Sequence, residues 1–244
     1  MLFRICLLLA LIPAAALLPV PRHAVAQSDE GFRFVRIQYG EPENEGRRFR
    51  RGGAQWAHDY PTAELNLHMA LERTTGIRVA GEPLLLTLGD DRIFEYPFIY
   101  LCEPGYWTIE DDEVENLREY LDRGGFIMFD DFGSEIELMQ LMMQMERVYP
   151  DREPQEIPND HPIWSIFFEV DPVAAPALVG GRGYFTDTDD RYLAYFDDNG
   201  RMVALACFNQ DLGDGWEWPE RSLANASTIS FQMGINFIVY AMTH

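Results

Sequence analysis

The chain has 244 residues, of which 47% are hydrophobic and 24% charged, a composition typical of a globular domain. Its formal net charge is −21, from 40 acidic residues against 19 basic residues, all of which are arginine. Such an acidic surface argues against nucleic acid or an anionic bilayer as a partner, because both require a basic face.

The amino terminus has the features of a secretory signal peptide. Arg4 precedes an apolar run from Ile5 to Val20, and the small residues of an A-x-A cleavage site end at Ala26. We therefore expect residues 1–26 to be removed, leaving a periplasmic or secreted single domain of residues 27–244. Loss of two arginines and no acid takes the net charge from −21 to −23. The alternative is an uncleaved amino-terminal membrane anchor, although the apolar run is shorter than the ~20 residues that span a bilayer.

No later segment is apolar for long enough to span a membrane, so we expect no transmembrane helix in the mature chain. Two cysteines, Cys102 and Cys207, remain after removal of Cys6, and both lie in apolar runs. We expect them to be buried as small hydrophobic residues, and the sequence leaves open whether they form a disulfide. No C-x-x-C or C-x-x-H pair suggests structural zinc.

The first half of the chain predicts alternating strands and helices. Residues 32–38 alternate apolar and polar, which indicates a strand with one buried face. A helix is expected to begin near Pro61, with Asp59 as its cap, and to end at Gly76. The runs 84–88 and 98–102 are almost continuously apolar, which favours strands covered on both faces, as in a parallel sheet.

The pattern then continues with two helices around a third apolar strand. Thr108 and Asp111 resemble a capping box for the next helix, and the strand FIMFDD leads to Asp130 and Asp131. A methionine-rich helix over 134–148 follows, and we expect its methionines to fill the core in preference to a partner groove.

A hairpin and a closing helix complete the predicted order of elements. YLAYF and RMVALACF flank the tetrapeptide DDNG, in which Asn199 and Gly200 tolerate positive φ. The closing helix runs from about Leu223 to Met242. The sequence therefore predicts an α/β domain with a mostly parallel sheet and a late antiparallel hairpin.

Several blocks carry a resemblance to a known family. They are FVRIQYG, WAHDYP, AELNLHMALERTTG, YPFIYLCEPG, LREYLDRGGFIMFDD, DHPIW, NQDLGDGWEW and MGINFIVYAMTH, and in this order they resemble the domain of unknown function 4159 family. The resemblance implies a flavodoxin-like, class I glutamine amidotransferase-like three-layer sandwich. It also implies a protein that is exported or membrane-attached in bacteria.

The amidotransferase comparison predicts which chemistry is missing. Enzymes of that fold place a cysteine in a G-x-C-x-G turn after a strand, but here Asp130, Asp131, Phe132 and Gly133 follow FIMF. Thiolate chemistry needs an activated sulfur beside a base, and Cys102 lies one strand earlier in an apolar run. The resemblance therefore implies a related fold with carboxylates in place of the nucleophile.

The strand-end acids Asp130 and Asp131 are the first candidate ligand-binding residues. The carboxyl ends of parallel strands form the ligand crevice of open α/β sheets, and His161, Asn209 and Asp211 lie in loops that can reach it. Such a cluster suits a divalent cation, with Asp130 and Asp131 as weak metal candidates, or a polyhydroxylated ligand. It also suits acid–base hydrolysis of a glycosidic bond. Alternatively, the two acids cap a helix and His161 precedes a proline in a turn.

Further candidates come from aromatic and histidine residues. Trp216 and Trp218 flank an acid in a predicted loop, which is typical of sugar binding, although packing over the sheet rim explains them about as well. His58 and Asp59 form an Asp–His pair, but no G-x-S-x-G elbow completes a triad. Ser134 is expected to cap a helix.

One basic cluster stands out in the acidic chain. Arg47, Arg48, Arg50 and Arg51 form either a solvated loop or a contact for an anion or acidic partner.

The preferred functional hypothesis is a non-catalytic module of the cell envelope that binds a protein, a glycan or a small molecule. The alternative is a hydrolase, glycan-directed or metal-assisted, that uses the strand-end carboxylates. No cofactor is indicated firmly, and a divalent cation is the one that the acids suit.

Overall fold

The computed structural model describes residues 31–40, 54–171, 190–220 and 226–244. The predicted signal peptide and the arginine cluster at 47–51 lie outside these residues. Five α-helices occur in the described ranges: α1 Thr62–Thr75, α2 Asp111–Asp122, α3 Glu135–Val148, α4 Leu212–Glu217 and α5 Ala226–Thr243. The strands are β1 Val35–Ile37, β2 Leu84–Leu86, β3 Phe98–Cys102, β4 Phe126–Phe132, β5 Gln155–Glu156, β6 Arg191–Phe196 and β7 Met202–Phe208.

The strands form one sheet in the order β2-β1-β3-β4-β7-β6-β5. Neighbours from β2 to β7 are parallel, while β6 is antiparallel to both β7 and β5. The predicted α/β fold with a mostly parallel sheet and a late hairpin is therefore confirmed. The five parallel neighbours in the sheet, β2-β1-β3-β4-β7, follow the flavodoxin-like order, in which the direction of winding reverses between β1 and β3.

Helices cover both faces of the sheet because successive strand residues point to opposite sides. In β3, Phe98 and Tyr100 pack with α1, α4 and α5, whereas Ile99 and Leu101 pack with α2 and α3. The run is apolar at every position because each face meets its own layer of helices.

Local signals set most of the helix ends. Gly76 terminates α1 in the left-handed conformation with φ 73°, as predicted. Ser134 caps α3 in a capping box with Glu137, also as predicted. The predicted box at Thr108 is wrong, because Thr108 donates its backbone N–H to Gly40 and the helix α2 begins later, after Glu110.

Two predictions about exposed and buried faces are also wrong. The alternation in 32–38 does not mark a solvent face at Arg36, whose side chain is fully buried in β1. The methionines of α3 do not all fill the core: Met145 is buried, but Met139 and Met143 are 60% and 51% exposed, beside Ile136 at 70%. The outer face of α3 is thus an apolar stripe.

The remaining expectations can be placed against the described residues. The hairpin between β6 and β7 is confirmed, and Gly200 in its turn has φ 78°. Cys102 and Cys207 are buried and unpaired. Within the described ranges, every helix is too short or too polar to cross a bilayer.

Candidate functional site

Polar side chains gather at the carboxyl ends of β1, β3, β4 and β7. The segment before α1 brings His58 and Asp59 to this edge, β3 leads into Glu103, and β4 carries Asp130 and Asp131. In open α/β sheets, ligands bind where strand order reverses, which here lies between β1 and β3. We give the name carboxylate cleft to His58, Asp59, Glu103, Asp131 and the nearby Asp211.

Four non-glycine residues at this edge have positive φ. They are Asp59 at 63°, Glu103 at 51°, Asp131 at 61° and Asn209 at 62°. Positive φ is uncommon for residues with a side chain, and such positions are concentrated at functional sites. At Asp131 the left-handed backbone accompanies an irregular register between β4 and β7, which turns its carboxylate toward the cleft.

The buried Arg36 anchors the segment that carries His58. Its guanidinium forms an ion pair with Glu64 of α1, and both side chains are fully buried. The same guanidinium donates to the carbonyl oxygens of Trp56 at 2.9 Å and His58 at 2.5 Å. One side chain of β1 thus ties the helix and the loop before it to the sheet.

His58 contacts three acids of the cleft. Its Nδ1 lies 2.6 Å from Oδ2 of Asp131 and 3.4 Å from Oε1 of Glu103, and its Nε2 lies 3.5 Å from Oδ1 of Asp59. Burial lowers the pKa of His58, but the hydrogen bond and charge of Asp131, with the other acids, outweigh it and raise that pKa to about 9. The imidazole is therefore cationic at neutral pH.

Three acids converge beside this histidine. Asp59, Asp131 and Asp211 are all buried, and each offers an oxygen within 4.8 Å of the other two. Burial raises the pKa of Asp59 to about 8 against the opposing charge of His58, and burial with neighbouring acids also raises the pKa of Asp211. Such a set holds either protons or a cation, because several close buried carboxylates repel one another.

Asp130 lies behind this group. Its Oδ2 accepts hydrogen bonds from the Tyr100 hydroxyl and the Gly213 amide, both at 3.0 Å. Burial, assisted by the charge of Asp131, raises the pKa of Asp130 to about 7. The two adjacent aspartates therefore differ in role, with Asp131 in the cleft and Asp130 joined to β3 and α4.

Gly213 allows α4 to approach the cleft closely. A Cβ on this residue would lie 2.6 Å from Oδ2 of Asp59 and 3.1 Å from the Tyr100 hydroxyl. Both distances are shorter than ordinary contacts, so a side chain here would displace the acid. The glycine thus permits close packing of α4 against Asp59.

His161, which the sequence placed among candidates for this site, lies at the opposite end of the sheet. Its ring packs against Phe196 and Tyr240, and Tyr240 accepts a hydrogen bond from the amide of Met202 at the start of β7. The Nδ1 of His161 accepts from Ile163 in a short 3₁₀ helix that Pro162 begins. The alternative of a turn residue before a proline matches this position.

The tryptophan prediction is wrong for Trp216, which lies within α4 and is fully buried. Its ring packs against Tyr100, with centroids 5.8 Å apart, and its Nε1 donates to the carbonyl of Ser230. Trp218 follows at the end of α4 and is half-buried. The spacing of aromatic residues around an acid is therefore mainly a packing feature of α4 against the sheet and α5.

Asn209 and Asp211 both follow β7 but have different surroundings. The amide of Asn209 donates to Asp190 at 2.6 Å, outside the group of three acids. Asp211 caps α4 by accepting from the Asp214 amide at 2.9 Å, while it also contributes to the acid group.

The described residues of the cleft present no activated nucleophile. Cys102 is fully buried, and burial with the charge of Asp131 raises the pKa of its thiol well above the usual range. Its Sγ lies 3.9 Å from Oδ2 of Asp131. Ser134 caps α3, as its sequence position predicts. The geometry therefore suits binding of a cation or a polar ligand, or proton transfer by carboxyl groups.

Sequence reasoning missed three contributors to the cleft: Arg36, Glu103 and Gly213. Arg36 was missed because it occupies a polar position in an alternating apolar and polar segment, a pattern that predicts a solvent-exposed side chain. Glu103 follows directly after the apolar strand β3, so the strand-end rule that selected Asp130 would also have selected it. Gly213 lies in a glycine-rich acidic segment that is typical of a loop.

Fold and site together define a doubly wound α/β domain of flavodoxin-like strand order with an acidic cleft where the winding reverses. Residues 33–242 match the family described as "Domain of unknown function (DUF4159)", and the chain belongs to that family. A comparison with curated proteins finds no match.

Proposed function

We propose that this chain is an exported, non-catalytic module of the cell envelope that binds its ligand in the carboxylate cleft. The observation that carries this proposal is the convergence of His58, Asp59, Asp131 and Asp211 at the edge where ligands of open α/β sheets bind. The described residues of the cleft offer polar recognition groups without a nucleophile. This combination favours binding over acyl or thiol chemistry.

The chemistry of the cleft narrows the class of ligand. The oxygens of these acids accept hydrogen bonds, and the acids that are ionised attract positive charge, so a polyhydroxylated molecule, such as a sugar or a short glycan, or a cationic ligand is favoured. An anionic ligand is disfavoured by the same charges. A basic segment of an envelope protein has matching chemistry and is the proposed macromolecular alternative.

Export is part of the proposal. Cleavage after Ala26 would release a protein that begins at Gln27. Intact-mass measurement of the protein from the envelope fraction tests this directly. A full-length mass in the membrane fraction would contradict cleavage and support an uncleaved amino-terminal membrane anchor.

The ligand site is tested by a thermal-shift screen of the exported protein against sugars, glycan fragments and polyamines. A true cleft ligand should raise the melting temperature of the wild type and of the surface control Asp198→Asn, but not that of Asp131→Asn. Asp198 is a suitable control because it is exposed and pairs with Arg152 away from the cleft. Equal shifts in all three proteins would place binding elsewhere and contradict the proposal.

A second candidate, hydrolysis, is favoured by one observation. The raised pKa values of Asp59, about 8, and Asp130, about 7, leave protonated carboxyl groups near Asp131 at neutral pH. A protonated acid near a second carboxylate is the arrangement required for general acid–base chemistry. Turnover of chromogenic glycosides by the wild type, lost in Asp130→Asn, would establish the hydrolase and displace the non-catalytic proposal.

A further inference from the structure

Three buried carboxylates meet in the cleft from three separate segments of the chain. Asp59 precedes α1, Asp131 lies near the end of β4, and Asp211 is the N-cap of α4. Their ligand oxygens all lie within 4.8 Å of one another. The three residues are only 6%, 8% and 6% exposed, so bulk water screens their mutual repulsion weakly.

Asp59 provides an independent sign that this group of acids binds a ligand. Neither of its oxygens accepts a hydrogen bond in the described structure, although its side chain is completely buried. His58 Nε2, at 3.5 Å from Oδ1, is close enough for charge attraction but not for a good hydrogen bond. Buried carboxylates are normally hydrogen-bonded, paired or bound to metal.

The other two acids have directed interactions that leave oxygen capacity for a ligand. Asp131 uses Oδ2 for His58 and Cys102, and Asp211 uses Oδ1 for the Asp214 amide. A carboxylate has about four acceptor positions, so these contacts fix each group without exhausting it. Gly213 packs directly against Oδ2 of Asp59, where an added Cβ would lie at 2.6 Å.

We propose that Asp59, Asp131 and Asp211 together bind one hard divalent cation of the Ca²⁺ or Mg²⁺ class. This inference rests on the proposed function, since it names the ligand class of the same cleft. Carboxylate oxygens are the donors that these ions prefer, and each is bound by further oxygens of water or substrate. His58 carries a single positive charge, so a divalent cation supplies the further positive charge that balances three close buried acids.

The spacing of the three oxygens fits such an ion. Ca²⁺ binds oxygen at about 2.3–2.6 Å, so opposite ligands are roughly 4.6–5.2 Å apart and adjacent ligands are closer. The oxygens of Asp59, Asp131 and Asp211 lie within 4.8 Å of one another, a separation compatible with this range. His58 serves as a positioning residue, because its Nδ1 contact at 2.6 Å fixes the Asp131 carboxylate as outer-shell groups do at metal sites.

The test is calorimetric titration of the exported protein with Ca²⁺, Mg²⁺ and Mn²⁺ after treatment with EDTA. Cation is titrated up to about 5 mM, a concentration above the ~10⁻⁴–10⁻³ M dissociation constants of weak extracellular calcium sites. Over this range, wild type and Asp198→Asn should each bind one ion saturably. Asp59→Asn and Asp211→Asn should weaken binding by at least about 100-fold, since each removes a charged ligand.

Melting temperatures without cation show that the variants are folded. Each Asp→Asn change removes like-charge repulsion, so both cation-free variants should melt at or above the temperature of the wild type. If one of them fails to fold, the other decides the outcome.

Two results would overturn the cation site. One is the absence of saturable binding by the wild type, and the other is wild-type affinity in a folded Asp59→Asn or Asp211→Asn protein. Repeating the ligand screen in EDTA separates this inference from the proposed function. If an organic ligand still binds in EDTA and its binding still requires Asp131, the proposed binding function is supported and the cation site is contradicted.

Discussion

At the scale of single residues, His68 is a buried histidine held neutral by its surroundings. Its ring packs edge-on against Phe32 and Phe34, and its Nε2 accepts a hydrogen bond from the Phe34 amide at 3.0 Å. Burial lowers the pKa of His68 from 6.5 to about 4. Because the folded-state pKa is depressed, its contribution to stability is complete above pH 6.5 and is lost as the pH falls toward 4.

His68→Gln should remove this acid sensitivity. Glutamine retains an acceptor for the Phe34 amide but does not titrate. Between pH 7 and roughly pH 4, the free energy of unfolding should therefore fall by about 3 kcal/mol less in the variant than in the wild type. Urea unfolding at both pH values measures the difference. His244→Gln, at the exposed carboxyl terminus, is the control. If the free energy of unfolding of His68→Gln falls as much at low pH as that of the wild type, buried His68 is not the source of the acid sensitivity.

Gly213 is the second residue with a specific packing role. A methyl group in Gly213→Ala would meet Asp59 and Tyr100 at 2.6 and 3.1 Å, so we expect a loss of roughly 1–3 kcal/mol in the free energy of unfolding. Gly89→Ala is the matched control, because its Cβ would meet only Glu113 Cγ and Thr87 Oγ1 at 3.7 and 4.0 Å. Equal stabilities of the two variants in chemical denaturation would contradict this description.

At the scale of elements, the Arg36–Glu64 ion pair joins β1 to α1 and to the segment that carries His58. Arg36→Leu should destabilise the fold by about 3–5 kcal/mol, because it leaves the buried charge of Glu64 without its partner. The double variant with Glu64→Leu should recover most of this loss, since apolar residues replace both charges.

The double variant should nevertheless impair the cleft. It lacks the donors that hold the carbonyls of Trp56 and His58, so the His58 imidazole should lose its fixed position beside Asp131. Nuclear magnetic resonance titration should then show the pKa of His58 falling from about 9 toward its usual 6.5. An unchanged pKa would show that the segment is positioned without Arg36.

The two faces of α3 should respond differently to substitution. Met139→Gln lies on the exposed stripe and should change stability by at most about 0.5 kcal/mol. Met145→Ala lies in the core and should cost about 2–5 kcal/mol. Thermal or chemical unfolding of both variants tests the burial, and a large loss in Met139→Gln would mean that the outer face packs against another part of the protein.

Elements were predictable from sequence where the signal is local. The continuous apolar runs of β3 and β4 reflect cover on both faces, and Gly76 and Ser134 define helix ends through their own backbone and side chain. The burial of Arg36 was not predictable from sequence, because its partner Glu64 lies 28 residues away and is brought to it only by the packing of α1 against β1. The same long-range dependence applies to the cleft.

The candidate site was therefore only partly foreseen. The strand-end rule identified Asp131, and Asp211 was expected to reach it, but no local pattern places Asp59 in the same group or separates Asp211 from His161, which lies elsewhere. Trp216 was predicted in a loop because it lies in an acidic, glycine-rich segment, yet Gly213 of that segment allows α4 to approach Asp59 and Tyr100 closely.

At the scale of the whole molecule, the sheet order explains why distant segments meet. Winding reverses between β1 and β3, which is where open α/β sheets bind ligands, and β4 and α4 bring Asp131 and Asp211 to the same edge. The formal net charge of −21 favours cations over nucleic acids as ligands. That residues 27–244 form one exported unit stays a prediction.

The most direct test of the account is anomalous diffraction from crystals of the exported protein grown with Mn²⁺. The account predicts one strong anomalous peak between the carboxylates of Asp59, Asp131 and Asp211, with His58 beside Asp131. An ordered cleft without a peak, or with Asp59 hydrogen-bonded to protein donors in place of the ion, would contradict it.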